Sequence, residues 1–393
     1  MVHIISSTQK LLNFSKTVMG QNNTQQAAKE AVVLLNFGGP RTADEVEPFL
    51  YEILRDPNTL QLPFPQWAQD LLARRIARKR APELIHQYQQ IGGASPIVPA
   101  TERLAQALGQ VLGQTLPILP IHRYLPGWAA QVARQVVGLG VQRLLAVPLY
   151  PHFSFATTGS SLAQFQAALQ QAGFAGELRV MASYPEAPGL VAAMGDRLRQ
   201  TLEQAALTPS DTVILCSAHG LPEVYVQRGD PYRLELYRTL EALQQAFPQW
   251  RLELCFQSRV GPMEWLRPYT DDKVRELGSR SGVRQVVFVP LAFVNDHVET
   301  LYEIGHTYFD LARQQGLTPH RVPAVEDHPG LVETLAQAVR RWQAGRGGVP
   351  VAELLPPSQW RRRHWPWLAL LLLLLGGLVA EVVLKNIINS TIN

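Results

Sequence analysis

The sequence has little cysteine, and this scarcity excludes several classes of protein. Only Cys216 and Cys255 occur among 393 residues, and both lie in apolar, strand-like runs. A disulfide framework needs more cysteines than this, and so does a zinc or iron–sulfur site held by cysteines. The composition therefore fits a reducing compartment.

Charge is also sparse and nearly balanced. Charged residues make up 17% of the chain, and 36 basic against 32 acidic residues leave a net charge of +4. So small and dispersed an excess does not indicate nucleic-acid binding, and we expect no nucleic acid among the partners. The apolar fraction of 46% is typical of a packed globular protein.

Several common motifs are missing. The first predicted strand is not followed by G-x-G-x-x-G, and the chain has no P-loop, which argues against dinucleotide and ATP binding. A G-x-S-x-G elbow for a serine nucleophile is absent as well. Residues 1–29 lack acidic side chains and the long apolar core of a secretory signal. We expect them to form a disordered extension, or to represent an upstream start ahead of Met19.

One long hydrophobic run stands near the end of the chain. Residues 367–384 contain a single charge, Glu381, and as a helix they span roughly 27 Å, close to the hydrocarbon thickness of a bilayer. Arginines precede the run, and Trp365 and Trp367 stand where an aromatic belt forms. We predict a transmembrane helix at 365–385, with the large domain on the cytoplasmic or stromal side. The alternative is a buried apolar helix.

Short runs of β-branched and aliphatic residues alternate with amphipathic, helix-like stretches. The runs occupy residues 31–37, 119–124, 143–150, 178–182, 212–218, 251–256 and 285–290. This alternation predicts an α/β protein with parallel sheets flanked by helices. We expect two similar halves at 30–185 and 186–344, a Gly- and Pro-rich linker at 345–364 and a short tail at 386–393.

Polar, titratable and aromatic residues follow most of the predicted strands. They include Asn36, Phe37, His122, Arg123, Tyr124, Tyr150, His152, Phe153, His219, Gln257, Ser258, Arg259, Phe293, Asn295, Asp296, His297 and Glu299. Because ligands of α/β sheets bind at the carboxyl ends of the strands, these residues predict a cleft for a large, planar, partly charged ligand.

His219 lies in the stretch SAHGLP at 217–222, where the following glycine permits close approach of a ligand. An imidazole at a strand end is suited to proton transfer. A histidine that only caps a loop explains the same pattern equally well.

Asp296, Glu299 and Glu303 fall on one face of a predicted helix. A row of carboxylates could pass a divalent cation along or carry protons away. Ordinary acid enrichment in a first helical turn, stabilised by the helix dipole, is the favoured explanation when this segment is taken alone.

A basic cluster contains Arg74, Arg75, Arg78, Lys79 and Arg80, downstream of an apolar stretch between two prolines. Such a surface could contact a membrane or bind propionate groups. A solvated helix face is the usual explanation of a charge run.

Seven stretches, in this order, resemble ferrochelatases along residues 31–342. They are LLNFGGP at 34–40, YQQIGGASP at 88–96, HRY at 122–124, LYPHFSFATTGSS at 149–161, SAHGLP at 217–222, FQSRVGPMEWL at 256–266 and FVNDHVETLYEI at 293–304. The resemblance implies a lyase that inserts Fe²⁺ into protoporphyrin IX, giving protoheme and two protons as the final step of heme biosynthesis. It also implies the chelatase fold, in which two Rossmann-like halves enclose a porphyrin cleft.

The resemblance also implies roles for individual residues. His219 and Glu299 would be catalytic. Iron would meet His219, Glu299, Glu303 and Asp296. The porphyrin would contact Phe37, Lys79, Arg80, Tyr88, Ser95, Arg123, Tyr124, Trp265 and Phe293.

Cofactors and partners follow from the same resemblance. The internal cysteine of cluster-containing ferrochelatases corresponds to Phe155, and the chain has no C-terminal cysteines. We therefore expect no iron–sulfur cluster and no tightly bound cofactor, with Fe²⁺ as a substrate. The tail resembles that of cyanobacterial and plastid ferrochelatases, which implies anchoring in a thylakoid or plasma membrane through Trp365, Trp367 and Glu381. It lacks the Asn-Gly-Arg stretch of chlorophyll-binding tails, and a homodimer or a membrane-protein partner stays open.

Three alternatives remain at this point. They are a cobalt chelatase acting on a precorrin-type ring, a coproporphyrin-using ferrochelatase, and a membrane-anchored porphyrin- or heme-binding protein without catalysis. The presence of both His219 and Glu299 argues against a non-catalytic role, and the loop at 88–96 favours the protoporphyrin type.

Overall fold

Two β-sheets organise the computed structural model, which describes residues 30–59, 65–260 and 263–355. The strands are β1 (Glu30–Asn36), β2 (Ile118–His122), β3 (Arg143–Pro148), β4 (Glu177–Val180), β5 (Thr212–His219), β6 (Arg251–Gln257), β7 (Gln285–Pro290), β8 (Thr318–Arg321) and β9 (Val349–Pro350). The first sheet has the order β2-β1-β3-β4-β9 and the second β6-β5-β7-β8. All neighbours are parallel except β4 and β9.

Helices connect the strands. They are α1 (Val46–Arg55), α2 (Gln66–Gln90), α3 (Ile97–Val111), α4 (Trp128–Gly138), α5 (Ser160–Gln171), α6 (Pro188–Gln204), α7 (Glu223–Gln227), α8 (Tyr232–Ala246), α9 (Thr270–Ser279), α10 (Phe309–Gln314) and α11 (Pro329–Gln343). Two π-helices, Phe155–Gly159 and Glu299–Tyr308, lead directly into α5 and α10. Short 3-10 turns cover Ala43–Glu45 and Val351–Glu353. The predicted α/β class, with two parallel sheets flanked by helices, is confirmed.

The central strands are apolar throughout because helices cover both faces of each sheet. In β1 the residues from Ala31 to Leu35 are fully buried. The helices instead bury one stripe. In α11, Leu331, Leu335 and Trp342 are buried at the spacing of one helical face.

The two sheets share one hydrophobic core. A single cluster of buried side chains contains Val32 and Leu145 of the first sheet, Ile214 and Val287 of the second, and Trp342 of α11. The two halves are therefore joined by apolar packing as well as by the chain.

The segment after the second sheet returns to the first. Helix α11 packs against α6 and α3, and β9 pairs with β4 through Val349 opposite Val180. The start of the linker predicted at 345–364 thus forms the edge strand of the first sheet. An open strand edge offers unpaired backbone groups, which the short segment covers.

The carboxyl ends of the two sheets face each other. Asn36, at the end of β1, donates from Nδ2 to Oδ1 of Asn295, which follows β7, at 2.8 Å. In the first sheet the chain runs from β1 to β2 on one side and from β3 to β4 on the other. In the second sheet it likewise runs from β5 to β6 on one side and from β7 to β8 on the other. Such a switch point opens a crevice at the carboxyl ends of the strands.

None of the helices in the described ranges is long and apolar enough to cross a membrane. Several predictions lie outside those ranges, and they concern the extension at 1–29, the helix at 365–385 with Trp365, Trp367 and Glu381, and the tail at 386–393.

Candidate active site

His219 is the last residue of β5 and stands in the crevice of the second sheet. Its Nδ1 lies 2.5 Å from the carbonyl oxygen of Gly220. Because a carbonyl only accepts hydrogen bonds, Nδ1 carries the proton, and the neutral ring keeps its lone pair on Nε2. That nitrogen lies 3.9 Å from Oε2 of Glu299, and 39% of the side chain is exposed.

Glu299 is the first residue of the π-helix that follows β7. Its Oε2 accepts no hydrogen bond within the described residues. Burial opposes ionisation, but the nearby imidazoles of His219 and His297 outweigh it and lower the pKa of this carboxyl below its ordinary value. The site therefore holds a buried carboxylate with one oxygen that accepts no hydrogen bond from the described residues.

His297 is a second imidazole beside the same oxygen of Glu299. Its Nδ1 donates to the carbonyl of Asn295 at 3.2 Å, and its Nε2 lies 3.7 Å from Glu299 Oε2. Burial disfavours the imidazolium, but Glu299 raises the pKa of His297 above its ordinary value. The two side chains thus form a buried ion pair.

Glu303 lies one turn further along the π-helix and is almost enclosed by donors. It accepts hydrogen bonds from the amide and hydroxyl of Ser258, the side-chain amide of Gln257 and the hydroxyl of Tyr308. Burial and the neighbouring charge of Glu299 raise the pKa of Glu303. The structure therefore places Glu303 close enough to Glu299 for their charges to interact.

Asp296 is not brought to this group. It precedes the π-helix, and its Oδ1 accepts from Thr300 Oγ1 and from Arg321, each at 2.7 Å. Its carboxylate therefore bonds to the side chains of one residue of the π-helix and one residue of β8. The predicted iron contact of Asp296 is thus replaced by an ion pair with β8.

Two aromatic side chains flank the histidines. The Trp265 ring lies 6.3 Å from the His219 ring, and Phe293 lies 4.6 Å from His297. Trp265 Nε1 donates to the carbonyl of Val260 at 2.9 Å, which fixes the ring. The sequence predicts both residues as porphyrin contacts.

Phe37 and Tyr124 belong to an aromatic cluster at the end of the first sheet. Their rings are 4.6 Å apart, and Phe49 packs edge-on against both. Tyr124 is buried, and its hydroxyl donates to Asp56 at 2.9 Å. Phe37 is therefore held in place by packing.

Arg123 is buried and already paired. It donates to Asp56 Oδ2 and to Ser160 Oγ, both at 2.9 Å. Its guanidinium also stacks on the ring of Tyr124, 4.6 Å from the centroid. Through these contacts Arg123 stabilises the aromatic cluster.

Tyr88 and Ser95 sit on the side of the first half that approaches Glu299. Tyr88 is buried, and burial together with the charge of Glu299 raises the pKa of its phenol. Gly39 lies so close to Ser95 that a Cβ there would stand 2.4 Å from its Oγ. Only glycine permits this approach.

Lys79 and Arg80 lie on α2, the helix that ends just beyond Tyr88. Lys79 is exposed, Arg80 is partly buried, and neither forms an ion pair within the described residues. Both remain available for an anionic group.

The described residues contain no group of three or more histidine, cysteine or carboxylate side chains arranged as a metal site. His219 and Glu299 instead offer one imidazole nitrogen and one carboxylate oxygen, a donor pair that suits Fe²⁺. A cavity of about 620 Å³ lies against the other face of the π-helix, beside Leu301, Gly305 and His306, and contains none of the predicted site residues.

Some residues of the site were not singled out from the sequence. No sequence pattern predicts Asp56 as a site residue, because its partner Arg123 is distant in the chain. Gln257 and Ser258 were noted only as residues after a strand. Their position at the carboxyl end of β6, where Gln257 is the last strand residue and Ser258 follows it, was the available signal.

Comparisons with known proteins point in one direction. The profile of one protein family, described as Ferrochelatase, matches residues 29–343. A ferrochelatase of Thermosynechococcus vestitus is 37% identical over 356 residues, covering 87% of this chain and 90% of the relative. One of Nostoc punctiforme is 39% identical over 320 residues, covering 78% and 81%.

Two further matches broaden this comparison. Ferrochelatase-2, chloroplastic, of Cucumis sativus is 35% identical over 373 residues, covering 91% of this chain and 71% of the relative. Among solved structures, SirB from Bacillus subtilis with Fe³⁺ aligns with a TM-score of 0.48 and 12% identity, covering 81% of this chain and 99% of SirB. That score is too low to carry an argument.

Proposed function

The chain belongs to the ferrochelatase family, and from that premise we propose how its residues insert ferrous iron into protoporphyrin in heme biosynthesis. The enzyme is a lyase that exchanges two pyrrole protons for one iron ion. One observation carries the assignment of residues: Nε2 of His219 and Oε2 of Glu299 approach to 3.9 Å in a half-buried crevice.

His219 accepts a pyrrole proton. With Nδ1–H donated to Gly220, its Nε2 lone pair faces the crevice and is free to take the proton. Because 39% of the side chain is exposed, the proton can pass on to solvent.

Glu299 receives the iron. Its lowered pKa keeps the carboxylate charged. Its Oε2, which accepts no hydrogen bond from the residues that the structure describes, can replace water on Fe²⁺. The ion pair with His297 orients the carboxylate. Glu303 adds a second acidic group on the same face of the π-helix.

The macrocycle lies against the aromatic side chains at the carboxyl ends of the two sheets. Trp265 and Phe293 stand on the histidine side, and Phe37 stands on the other, backed by Tyr124. Lys79 and Arg80 bind propionates, and this remote binding energy helps to distort the ring for metal entry. Tyr88 and Ser95 line the approach, whereas Arg123 supports the wall through Asp56.

The test is anaerobic Fe²⁺ insertion into protoporphyrin IX, followed by the loss of porphyrin fluorescence. We expect His219→Ala and Glu299→Gln to bind porphyrin and to lose at least about 100-fold in kcat, since each removes a group that contacts the reacting atoms. Glu333→Gln, an exposed glutamate on α11, is the matched control. Near-normal insertion by His219→Ala would disprove its assignment.

We also propose that the enzyme needs no iron–sulfur cluster. Cys216 and Cys255 are fully buried on adjacent strands, and they belong to different hydrophobic clusters. Burial raises the pKa of Cys255 to about 11, which disfavours the thiolate needed for a metal bond. Iron and acid-labile sulfide analysis of the purified, active enzyme should detect neither in stoichiometric amount.

The hydrophobic run at 365–385 anchors the enzyme in a thylakoid or plasma membrane. Its length and the arginines before it support this part of the proposal. The full chain should stay with membranes after an alkaline carbonate wash, and a chain truncated before Trp360 should be soluble and active. Extraction of the full chain by carbonate would contradict anchoring.

A further inference from the structure

The carboxylate of Glu303 uses all of its acceptor positions. Ser258 N donates at 2.9 Å, Gln257 Nε2 at 3.0 Å and Tyr308 OH at 3.1 Å, and Ser258 Oγ also donates to Oε2. An ionised carboxyl has about four lone-pair sites. Glu303 is therefore held from four directions and cannot swing toward the crevice without losing donors.

Ser258 adopts an unusual backbone conformation to make these bonds. Its φ is 64°, in the left-handed region that a residue with a Cβ enters at a cost. The conformation turns both its amide and its hydroxyl toward Glu303. Strain of this kind persists only where surrounding contacts enforce it, and it concentrates at functional sites.

Gln257 ties the same carboxylate to the histidine strand. It is 1% exposed, and its side chain accepts from Ser217 Oγ at 2.7 Å while donating to the main-chain oxygen of Glu299 at 3.1 Å. Its own carbonyl accepts from Gly220 N at 2.8 Å. Through its side chain and its main-chain carbonyl, Gln257 thus connects both flanks of His219 with the start of the π-helix.

We propose that Gln257 and Ser258 are positioning residues for iron delivery, which fix Glu303 beside Glu299. The inference rests on the role of Glu303 proposed above. A carboxylate whose acceptor positions are taken by four donors attracts Fe²⁺ by its charge but does not coordinate it tightly. The ion can therefore move on to Glu299. A substrate ion has to leave each contact in turn, and a mobile ligand would retain it.

The test is a double-mutant cycle in the full-length enzyme, with Ser258→Ala, Glu303→Ala and the double variant. Ser258→Ala should lower kcat/KM for Fe²⁺ about tenfold, the usual cost of losing a group that orients a metal-binding residue. The KM for protoporphyrin should stay within about twofold, because Ser258 acts on the iron side. The double variant should match Glu303→Ala, since the serine acts through that carboxylate.

Two further variants separate positioning from strain. Ser258→Gly removes the φ penalty together with the hydroxyl and should lose as much as Ser258→Ala. Wild-type activity in Ser258→Gly would overturn the inference. Ser279→Ala removes an exposed serine hydroxyl that donates to Glu276 O, and it should change neither constant.

The failures of the two proposals are distinguishable. If Glu303→Ala alone leaves iron insertion unchanged, the proposed role of Glu303 is wrong, and the inference falls with it. If Glu303→Ala is impaired while Ser258→Ala is normal, or if the two losses multiply, only the positioning role is refuted.

Discussion

His122 and His152 are buried imidazoles that the proposed mechanism does not use. Burial lowers the pKa of each to about 3, and the positive charge of Arg41 adds to the effect at His122. Both are therefore neutral in the folded protein, whereas an unfolded chain binds protons near pH 6.5. The free energy of unfolding is therefore unaffected by these two histidines above pH 6.5. It decreases as the pH falls from 6.5 toward 3, because the unfolded chain binds protons that the folded chain does not.

The change from pH 7.5 to pH 5.0 should therefore destabilise the fold by about 2 kcal/mol for each of these histidines. His122→Leu removes a ring whose two nitrogens have no hydrogen-bond partner in the described part of the chain. Urea unfolding at both pH values should show a smaller loss in this variant than in the wild type. An equal loss in both would mean that His122 does not contribute.

Arg123 and Lys79 separate support of the cleft from contact with the substrate. Arg123→Ala leaves Asp56 buried without its charge partner, which should cost about 3 kcal/mol of unfolding free energy. Lys79→Ala removes an exposed amine without an ion pair in the described structure. It should leave the melting temperature unchanged and weaken porphyrin binding. Thermal unfolding and fluorescence titration with porphyrin measure both variants. Weakened porphyrin binding by Arg123→Ala at an unchanged melting temperature would instead identify Arg123 as the propionate ligand.

At the residue scale, the sequence was most informative where the chemistry is local. His219 and Glu299 lie in short, ordered motifs, and the structure brings them within 3.9 Å of each other. The pair of Arg123 with Asp56 spans 67 positions, and no local pattern reports such a contact. The HRY motif at 122–124 therefore identifies Arg123 as a residue of the site but does not predict whether its side chain contacts the ligand or Asp56.

Among the elements, the π-helix Glu299–Tyr308 differs most from expectation. Ordinary helical spacing placed Asp296, Glu299 and Glu303 on one face, but the helix begins at Glu299. The two glutamates keep their common face because they are one turn apart in either geometry. Asp296 lies outside the helix and pairs with Arg321. Side-chain periodicity does not reveal a wider turn, so this element could not be predicted.

The turn after β5 leaves little room for a side chain at Gly220. A Cβ on Gly220 would lie 2.9 Å from the carbonyl oxygen of Gln257 and 3.0 Å from the Trp265 ring. Gly220→Ala should therefore displace Trp265 and lower kcat/KM for protoporphyrin about tenfold or more. Gly138→Ala, at the end of α4 where nothing lies within 4 Å of the new methyl, is the matched control. Equal activity of both variants would show that the turn tolerates a side chain.

For the molecule as a whole, the parallel sheets were predictable from alternating apolar runs, but their completion was not. Strand β8 is the polar sequence TPHR at a sheet edge, and β9 has only two residues. The core shared by both sheets joins residues as distant as Val32 and Trp342. Such contacts depend on the folded arrangement rather than on any local pattern.

The return of the chain to the first sheet predicts different outcomes for two truncations. A chain ending at residue 355 keeps β9 and the buried Val351, and it should unfold cooperatively near the wild-type temperature. A chain ending at residue 344 loses both and exposes the edge of β4, so it should melt lower and aggregate. Light scattering during thermal unfolding compares them. Indistinguishable curves would mean that β9 contributes nothing to the fold.

Strand β9 also has a consequence for the order of events during synthesis. The ribosome produces β1 to β4 first, yet the sheet that they form gains its last strand only after residue 350 has left the exit tunnel. Domains commonly fold one after another as they emerge, but here the earliest sheet is finished by nearly the latest residues. If the following segment enters a membrane as proposed, β9 pairs with β4 at about the time that the enzyme becomes anchored in the membrane.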